Sequence, residues 1–317
     1  MPLLKDKLQR AREQSWNRLG KRLTFYVPGM IRCNGISGRY QAVSITGGHC
    51  ALQCDHCRGR LLSSMIWAAT PDALLDTCLR LARHGNHGVL ISGGCDERGC
   101  LPWDAFIPAL REIKDRTDLF VSIHSGLVDR AVAQRLKEAG VDQALIDVIG
   151  NDETYRRTCH VPFGISRIIS SLEALRQAEL DIVPHIVFGL CNGDIVGERS
   201  AIRIISQLDV RQMVIVSLMN STAAYGAHFT YPAAESIADL IAEARFAMPD
   251  VLISLGCARQ RGNRTIELLA IDAGVNRMAL PSEEAVERAE EYGLEIRYQE
   301  TCCSVSRDYS NPGTVKE

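Results

Sequence analysis

Cys50, Cys54 and Cys57 lie within one short stretch, GGHCALQCDHCRGR, that runs from Gly47 to Arg60. The spacing C-x3-C-x2-C puts three thiolates in a single tight loop. A closed structural zinc site wants four ligands, so zinc would need His49 or His56 as the fourth. A cubane 4Fe–4S cluster held by three cysteines keeps one iron open, and that iron can bind a small molecule directly. On the cluster reading, the missing fourth thiolate is the functional feature.

A loop of this kind needs a scaffold, and a regular rhythm begins at Gln41. Short β-rich apolar runs fall at 42–46, 88–92, 119–123, 143–148, 181–187, 212–218, 251–255 and 275–280. Amphipathic helical patterns fall at 71–84, 104–115, 128–139, 163–178, 197–207, 232–247, 263–273 and 282–292. Alternation of this kind indicates a parallel sheet with crossover helices. The runs are apolar on both faces, as strands covered on both sides must be. Eight such units predict an α/β fold of the (β/α)8 TIM-barrel type, with a doubly wound open sheet as the alternative. The expected organisation is an N-terminal helix and loop over 1–40, a barrel over 41–292 and a C-terminal extension over 293–317 carrying Cys302–Cys303. Residues 24–40 read as a loop, and the tail after Ser306 is expected to fray.

Chemistry in parallel α/β folds collects where strands end and helices begin. The ends supply the cysteine loop, then SGGCDERGC (92–100), then His124 with Ser125, Asp147, His185, Met219 with Asn220, GCARQRG (256–262) and Pro281. The rest of the composition excludes several classes. With 46% hydrophobic and 23% charged residues and a net charge of −2, the chain is globular, and neither nucleic acid nor a membrane is an expected partner. No signal peptide and no membrane-length apolar run is present, so a cytoplasmic location is expected. Twelve cysteines in a reducing compartment point to metal or redox chemistry rather than disulfides. Residues 3–19 read as a basic helix, with Lys5, Lys7, Arg10, Arg12 and Arg18 followed by Lys21 and Arg22. That is either a solvated face or a docking arm for an acidic partner.

The stretch CALQCDHC resembles the cluster loop of radical S-adenosylmethionine (radical SAM) enzymes. The resemblance covers residues 41–280 and implies a barrel fold, a 4Fe–4S cluster on Cys50, Cys54 and Cys57, and SAM bound at the open iron. It further implies cleavage of SAM to methionine and a 5′-deoxyadenosyl radical that abstracts an unactivated hydrogen. His56 stands where the family usually places an aromatic residue. Ser92, Gly93 and Gly94 match the glycine-rich turn that approaches the SAM amino group, where a Cβ would block the backbone. Asp147 would meet the SAM ribose and Arg157 the methionine carboxylate, with His124 and His185 lining the pocket. Blander roles are a turn or cap for Asp147 and barrel hydrogen bonding for the histidines. Arg259 and Arg261 suit either an anion or surface ion pairs.

Nine cysteines remain beyond the loop. Cys78 sits in a helical pattern and suits a core, while Cys159, in RRTCHVPFG, is either structural or part of a site. Cys33, Cys95, Cys100, Cys191, Cys257, Cys302 and Cys303 fall in loops or at strand ends. They suggest a second 4Fe–4S cluster, with Cys95 and Cys100 as first ligands, then Cys302 and Cys303, then Cys257. The stretches FYVPGM (25–30), SITGGHCALQCDHCRGRLL (44–62), ISGGCDERGCLP (91–102) and LGCARQRG (255–262) resemble the two-component lipoyl synthases of the biotin and lipoyl synthase group. That resemblance implies sulfur insertion into an octanoyl chain on a lysine of a lipoyl-carrier protein. The auxiliary cluster would be the sulfur donor, a sister radical SAM subunit a partner, and ferredoxin or flavodoxin the electron donor. The N-terminal C-x4-C-x5-C motif of single-chain lipoyl synthases is absent, as is their C-terminal serine motif, although Ser304 follows the cysteine pair. The auxiliary ligand pattern of biotin synthase is not reproduced either. Alternative readings are another biotin-synthase-like radical SAM enzyme acting on a free small molecule, or an electron-transfer or zinc-binding protein.

Overall fold

The computed structural model describes residues 2–29, 32–33, 36–219 and 230–310. Asn220, read as a strand-end residue, lies outside them.

The chain opens with α1 (Pro2–Leu19) and β1 (Arg22–Tyr26), then a small hairpin of β2 (Arg32–Cys33) and β3 (Ile36–Ser37). Next come β4 (Tyr40–Ser44), β5 (Ile66–Trp67), α2 (Pro71–Arg83), β6 (Gly88–Ser92), α3 (Trp103–Arg116), β7 (Phe120–His124) and α4 (Arg130–Glu138). There follow β8 (Gln143–Asp147), α5 (Asp152–Cys159), α6 (Ser166–Gln177), β9 (Asp181–Phe188), α7 (Glu198–Ile205), β10 (Gln212–Ser217) and α8 (Ala234–Ala247). The last elements are β11 (Leu252–Leu255), α9 (Arg264–Asp272), β12 (Arg277–Ala279), α10 (Glu283–Glu291) and β13 (Glu295–Gln299).

Eleven strands make one sheet in the order β13-β1-β12-β11-β10-β9-β8-β7-β6-β4-β5. All of its pairings are parallel. The sheet curls into a partial TIM-type barrel with helices outside, the α/β architecture the strand rhythm predicts. Its inner strands are buried on both faces because helices cover one side and the lumen fills the other, while the edge strands β5 and β13 are largely exposed or half-buried. Across the seam Gly29 N–H donates to the Tyr40 carbonyl (3.0 Å), Arg39 N–H donates to the Glu300 carbonyl (2.6 Å), and the Arg39 side chain pairs with Glu300 at 2.8 Å.

The sheet reaches beyond residues 41–292 at both ends. β1 lies inside the stretch read as a loop, and β13 inside the C-terminal extension. Pro28 and the following glycines mask the strand character of RLTFY, although four of its five residues are buried. EIRYQ reads as polar because β13 is an edge strand with only Gln299 buried. The tail is also ordered past Ser306. Tyr309 stacks on His87 at 4.6 Å and donates to its carbonyl at 3.3 Å. Val305 packs with Tyr40 and Phe120, so the tail is held as far as Ser310, while residues 311–317, where fraying is also expected, lie outside the described residues.

The basic helix is committed to its own barrel. Lys7 pairs with Asp239 (2.5 Å) and Glu243 (3.1 Å) of α8, and Arg12 reaches the Asp272 carbonyl and the Tyr292 hydroxyl. Arg10 lies over Phe246, Arg22 pairs with Glu295, and Arg18 lies 3.7 Å from Asp250. Acidic residues of the barrel thus face part of the basic surface of α1, while Lys5 and Arg18 stay exposed. Among the described residues no helix is long and apolar enough to cross a membrane.

Candidate active site at the strand ends

The cysteine loop is shaped by its backbone. Ser44, the last residue of β4, donates its hydroxyl to the Gly47 carbonyl at 2.6 Å, which starts the turn. Gly47, Gln53, Arg58 and Gly59 all take positive φ. For Gln53 and Arg58 that conformation costs about 1–3 kcal/mol each, and such strain clusters at sites where a loop must hold one shape. Cys54 is buried, while Cys50 and Cys57 are half-buried. Burial pushes the Cys57 thiol up to about 12 in the metal-free chain. Iron would reverse this, because a ligating thiol is deprotonated outright.

The glycine turn after β6 presses on that loop. A Cβ on Gly94 would lie 2.0 Å from the His49 carbonyl oxygen and 2.5 Å from the Cys50 Cα. Gly93 has more room, its nearest neighbour being Thr46 at 3.1 Å. Thr46 joins the two segments: its hydroxyl accepts from Gly94 N–H at 2.7 Å and donates to the His49 carbonyl at 3.0 Å. Ala51 N–H donates to the Cys95 carbonyl at 2.8 Å, and Ser92 accepts from Ile45 N–H through its own carbonyl at 2.8 Å. Sequence reasoning missed Thr46, although it directly precedes the glycines of the loop.

His124 and Asp147 end β7 and β8, His185 lies within β9 opposite Asp147, and the three form one group. His124 Nε2 lies 3.7 Å from Asp147 Oδ1, and the two imidazoles meet edge to face at 5.7 Å. His185 donates from Nδ1 to the Val183 carbonyl at 3.0 Å, which fixes its tautomer, and burial with His124 nearby lowers its pKa to about 4. His56 faces the same group: burial lowers its pKa against the opposing pull of Asp147 and Asp55. Its Nδ1 is buried with no hydrogen-bond partner among the described residues. Arg157 stands apart from this group and donates to Cys191 Sγ at 2.9 Å.

The donor set fits the cluster and SAM that the loop implies. Three thiols share one loop, a turn without Cβ atoms faces it, and an orphaned imidazole nitrogen borders it. Among the described residues no three His, Cys, Asp or Glu side chains converge on a single ion. Thiolates around a cubane bind different irons and need not converge, whereas a zinc site requires it.

The five cysteines read as auxiliary ligands fall into two groups. Cys95 belongs with the first loop: burial raises its thiol pKa, and Cys50, Cys54 and Cys100 raise it further. Cys100 sits on the rim, where its N–H donates to Asp96 at 2.9 Å. Cys257, Cys302 and Cys303 instead meet in the lumen, packed with Tyr26, Val214 and Ala279. Ser304 donates its hydroxyl to Cys302 Sγ at 3.2 Å. The Cys303 thiol, aided by Ser304, holds the Cys302 pKa down at about 6 against the effect of burial. The backbone beneath is pinned from three strands. Ser254 donates to the Cys303 carbonyl at 3.2 Å, Gln212 to the Ser304 carbonyl, and Arg277 to the Val305 carbonyl at 3.0 Å. The Tyr26 hydroxyl beside them is fully buried and has no partner among the described residues. Tyr26 was another residue that sequence reasoning missed, because its strand was.

Arg259 is no anion site. Its guanidinium is 1% exposed, 2.7 Å from Glu267, and donates to the carbonyls of Gly256 and Leu280. Glu267 in turn accepts from Ser282 N–H at 2.7 Å. The pair locks the loop that presents Cys257. Removing one partner of such a buried pair costs about 3–5 kcal/mol. Glu267→Ala should therefore lower the chemical-denaturation midpoint sharply, and an unchanged midpoint would show that the pair carries no strain-free lock on this loop.

A cleft of about 1160 Å³ opens beside the first loop, from Thr46, His49 and Gly94 past Cys100 to Leu127 and Val132. Residues 44–194 match the radical SAM superfamily. No curated protein matches the sequence. Among solved structures, methylornithine synthase is similar with 19% identity and a TM-score of 0.61, over 92% of this chain and 89% of that one. The FeFe-hydrogenase maturase HydG from Carboxydothermus hydrogenoformans is similar with 16% identity and a TM-score of 0.65, over 94% of this chain and 72% of that one. Identities this low speak to the fold alone.

Proposed function

A radical SAM superfamily domain is present in this chain, and from that premise we propose that the protein is a sulfur-inserting radical SAM enzyme of the lipoyl synthase kind. Its substrate would be an octanoyl chain on a lipoyl-carrier lysine. The observation that carries this reading is the second group of thiols, Cys257, Cys302 and Cys303, in the lumen beside an orphaned phenol. Three buried thiols on one face of the lumen suit a second cluster that could donate sulfide. The fold does not choose the product, since solved structures with this architecture carry other named activities.

Cys50, Cys54 and Cys57 would hold the first cluster, and Cys257, Cys302 and Cys303 an auxiliary one, with Cys95 and Cys100 released from that role. Bound together, reduced cluster and SAM supply a carbon radical able to take hydrogen from an unactivated methylene, and an auxiliary cluster supplies sulfide. The chain's own residues position and exclude. Gly93 and Gly94 let the backbone approach the SAM amino group. Asp147, part-exposed at its strand end, accepts hydrogen bonds from ribose hydroxyls. His185 stays neutral with its Nδ1–H committed to Val183, so only Nε2 faces the pocket as an acceptor. Leu101, Leu127 and Val128 give the neighbouring cleft an apolar side on which an acyl chain can lie. The lumen walls keep water from the lower thiols, since Tyr26, Val214 and Ala279 are all buried.

The test is iron and sulfide content of anaerobically reconstituted protein, together with an octanoyl-lysyl carrier assay that includes a sister subunit and a ferredoxin or flavodoxin. About eight irons per chain, falling to about four in Cys50→Ala/Cys54→Ala/Cys57→Ala, are expected. About four falling to nearly none would remove the sulfur donor and leave a radical SAM enzyme acting on some other substrate, such as a free small molecule.

A further inference from the structure

Two strands of the sheet carry a buried tyrosine at one end, Tyr40 at the start of β4 and Tyr26 at the end of β1. Their hydroxyls stand in opposite states. The Tyr40 hydroxyl lies 2.7 Å from Ser122 Oγ and donates to the Phe120 carbonyl at 3.2 Å. Tyr26 is 0% exposed, and its hydroxyl has no partner among the described residues. A buried hydroxyl left unpaired costs its full desolvation, and native structures rarely leave one so.

The surroundings say what would pair with it. Tyr26 is held in the sheet beside Ala279 of β12 and Gln299 of β13. Its side chain belongs to the buried cluster of Leu145, Val183, Val214, Ala279 and Cys303, with Cys257 and Cys302 packed against it. The four aliphatic members offer no acceptor. The Arg277 guanidinium lies over the Tyr26 ring, 5.7 Å from its centroid, and donates to two neutral oxygens, the Gln212 side-chain amide and the Val305 carbonyl. An unpaired hydroxyl beside a cation suits an acceptor that carries negative charge. A phenol keeps its proton at neutral pH, and a sulfur bound to iron has none to give, so a bond between them has one direction. We propose that the Tyr26 hydroxyl donates a hydrogen bond to a sulfur of the cluster held by Cys257, Cys302 and Cys303, and so raises the reduction potential of that cluster. The inference rests on the auxiliary-cluster reading of those thiols. Hydrogen bonds to cluster sulfurs are one of the levers that set such potentials, because they stabilise the extra negative charge of the reduced state.

Two measurements on the full-length chain test it. The first is the urea midpoint of the metal-free protein. Tyr26→Phe keeps the ring and removes only the unpaired oxygen, so its midpoint should equal or exceed that of wild type. Tyr40→Phe, which breaks existing bonds, should fall below it and sets the scale. A lower midpoint in Tyr26→Phe would overturn the proposal by showing that the hydroxyl already has a protein partner. The second is an anaerobic redox titration of the reconstituted protein, which follows the paramagnetic signal that added SAM leaves unperturbed. Tyr26→Phe should retain about eight irons and show a more negative midpoint for that signal. An unchanged midpoint would overturn the proposal. A fall to about four irons would overturn it too, by making the phenol a ligand. A wild-type protein with about four irons would bring down the auxiliary-cluster reading itself, and this inference with it.

Discussion

Gly94→Ala is expected to reduce SAM cleavage by about 100-fold or more, the scale on which a displacement near 1 Å acts on a positioned reaction. The added methyl group would sit 2.0 Å from the His49 carbonyl oxygen and 2.5 Å from the Cys50 Cα. Both obstacles are backbone or backbone-attached, so no rotamer change relieves the clash. Either the turn or the cysteine loop must move, and with it the first of the three thiols. Gly93→Ala is the informative companion, because its methyl group would meet side chains rather than backbone, Thr46 at 3.1 Å and Ile45 at 3.3 Å. It should retain most of the activity. Measuring 5′-deoxyadenosine release in both variants separates the two positions. Comparable rates in Gly94→Ala and wild type would mean that the turn does not bear on the loop in the working enzyme.

Cys302→Ala is expected to reduce iron from about eight to about four per chain while leaving SAM cleavage in place. Product formation should fall to background. Cys302 has the largest effect of the three lumen cysteines because both its neighbours act on it: Ser304 reaches its sulfur at 3.2 Å, and the Cys303 thiol holds it toward the thiolate. Cys100→Ala is the contrasting variant, since Cys100 lies on the rim and belongs to the other group. It should keep its full iron. If Cys100→Ala loses four irons and Cys302→Ala none, the auxiliary ligands lie on the rim, as the spacing of Cys95 and Cys100 alone suggests.

That last contrast marks where the sequence stopped being legible. The βα rhythm from 41 to 280 follows from local periodicity, and the curled parallel sheet repeats it strand by strand. The loop of three cysteines and the glycine turn are likewise local patterns, readable because their members are close in sequence. Cys257 and Cys302 are separated by a helix, two strands and another helix, so no spacing rule joins them. They meet only because the tail folds back under β11 after β13. β1 escaped notice because Pro28 and its glycines looked like loop, and Tyr26 was lost with it. Lys7 of α1 shows the same limit: its charge is plain in the sequence, but the acids that pair with it, Asp239 and Glu243, lie more than two hundred residues away.

The pairing of β1 with β12 and β13 also sets a timetable for synthesis. β1 leaves the ribosome early and waits with its edges bare until Arg277–Ala279 and Glu295–Gln299 have been made. Domains form from the N-terminal side as the chain emerges, and long-range parallel pairing is slow. The cysteine loop therefore takes shape within a nascent half-barrel, while the lumen thiols come together only after the last residues are released. The lumen thiols are thus assembled later than the cysteine loop, by the same segment that seals them.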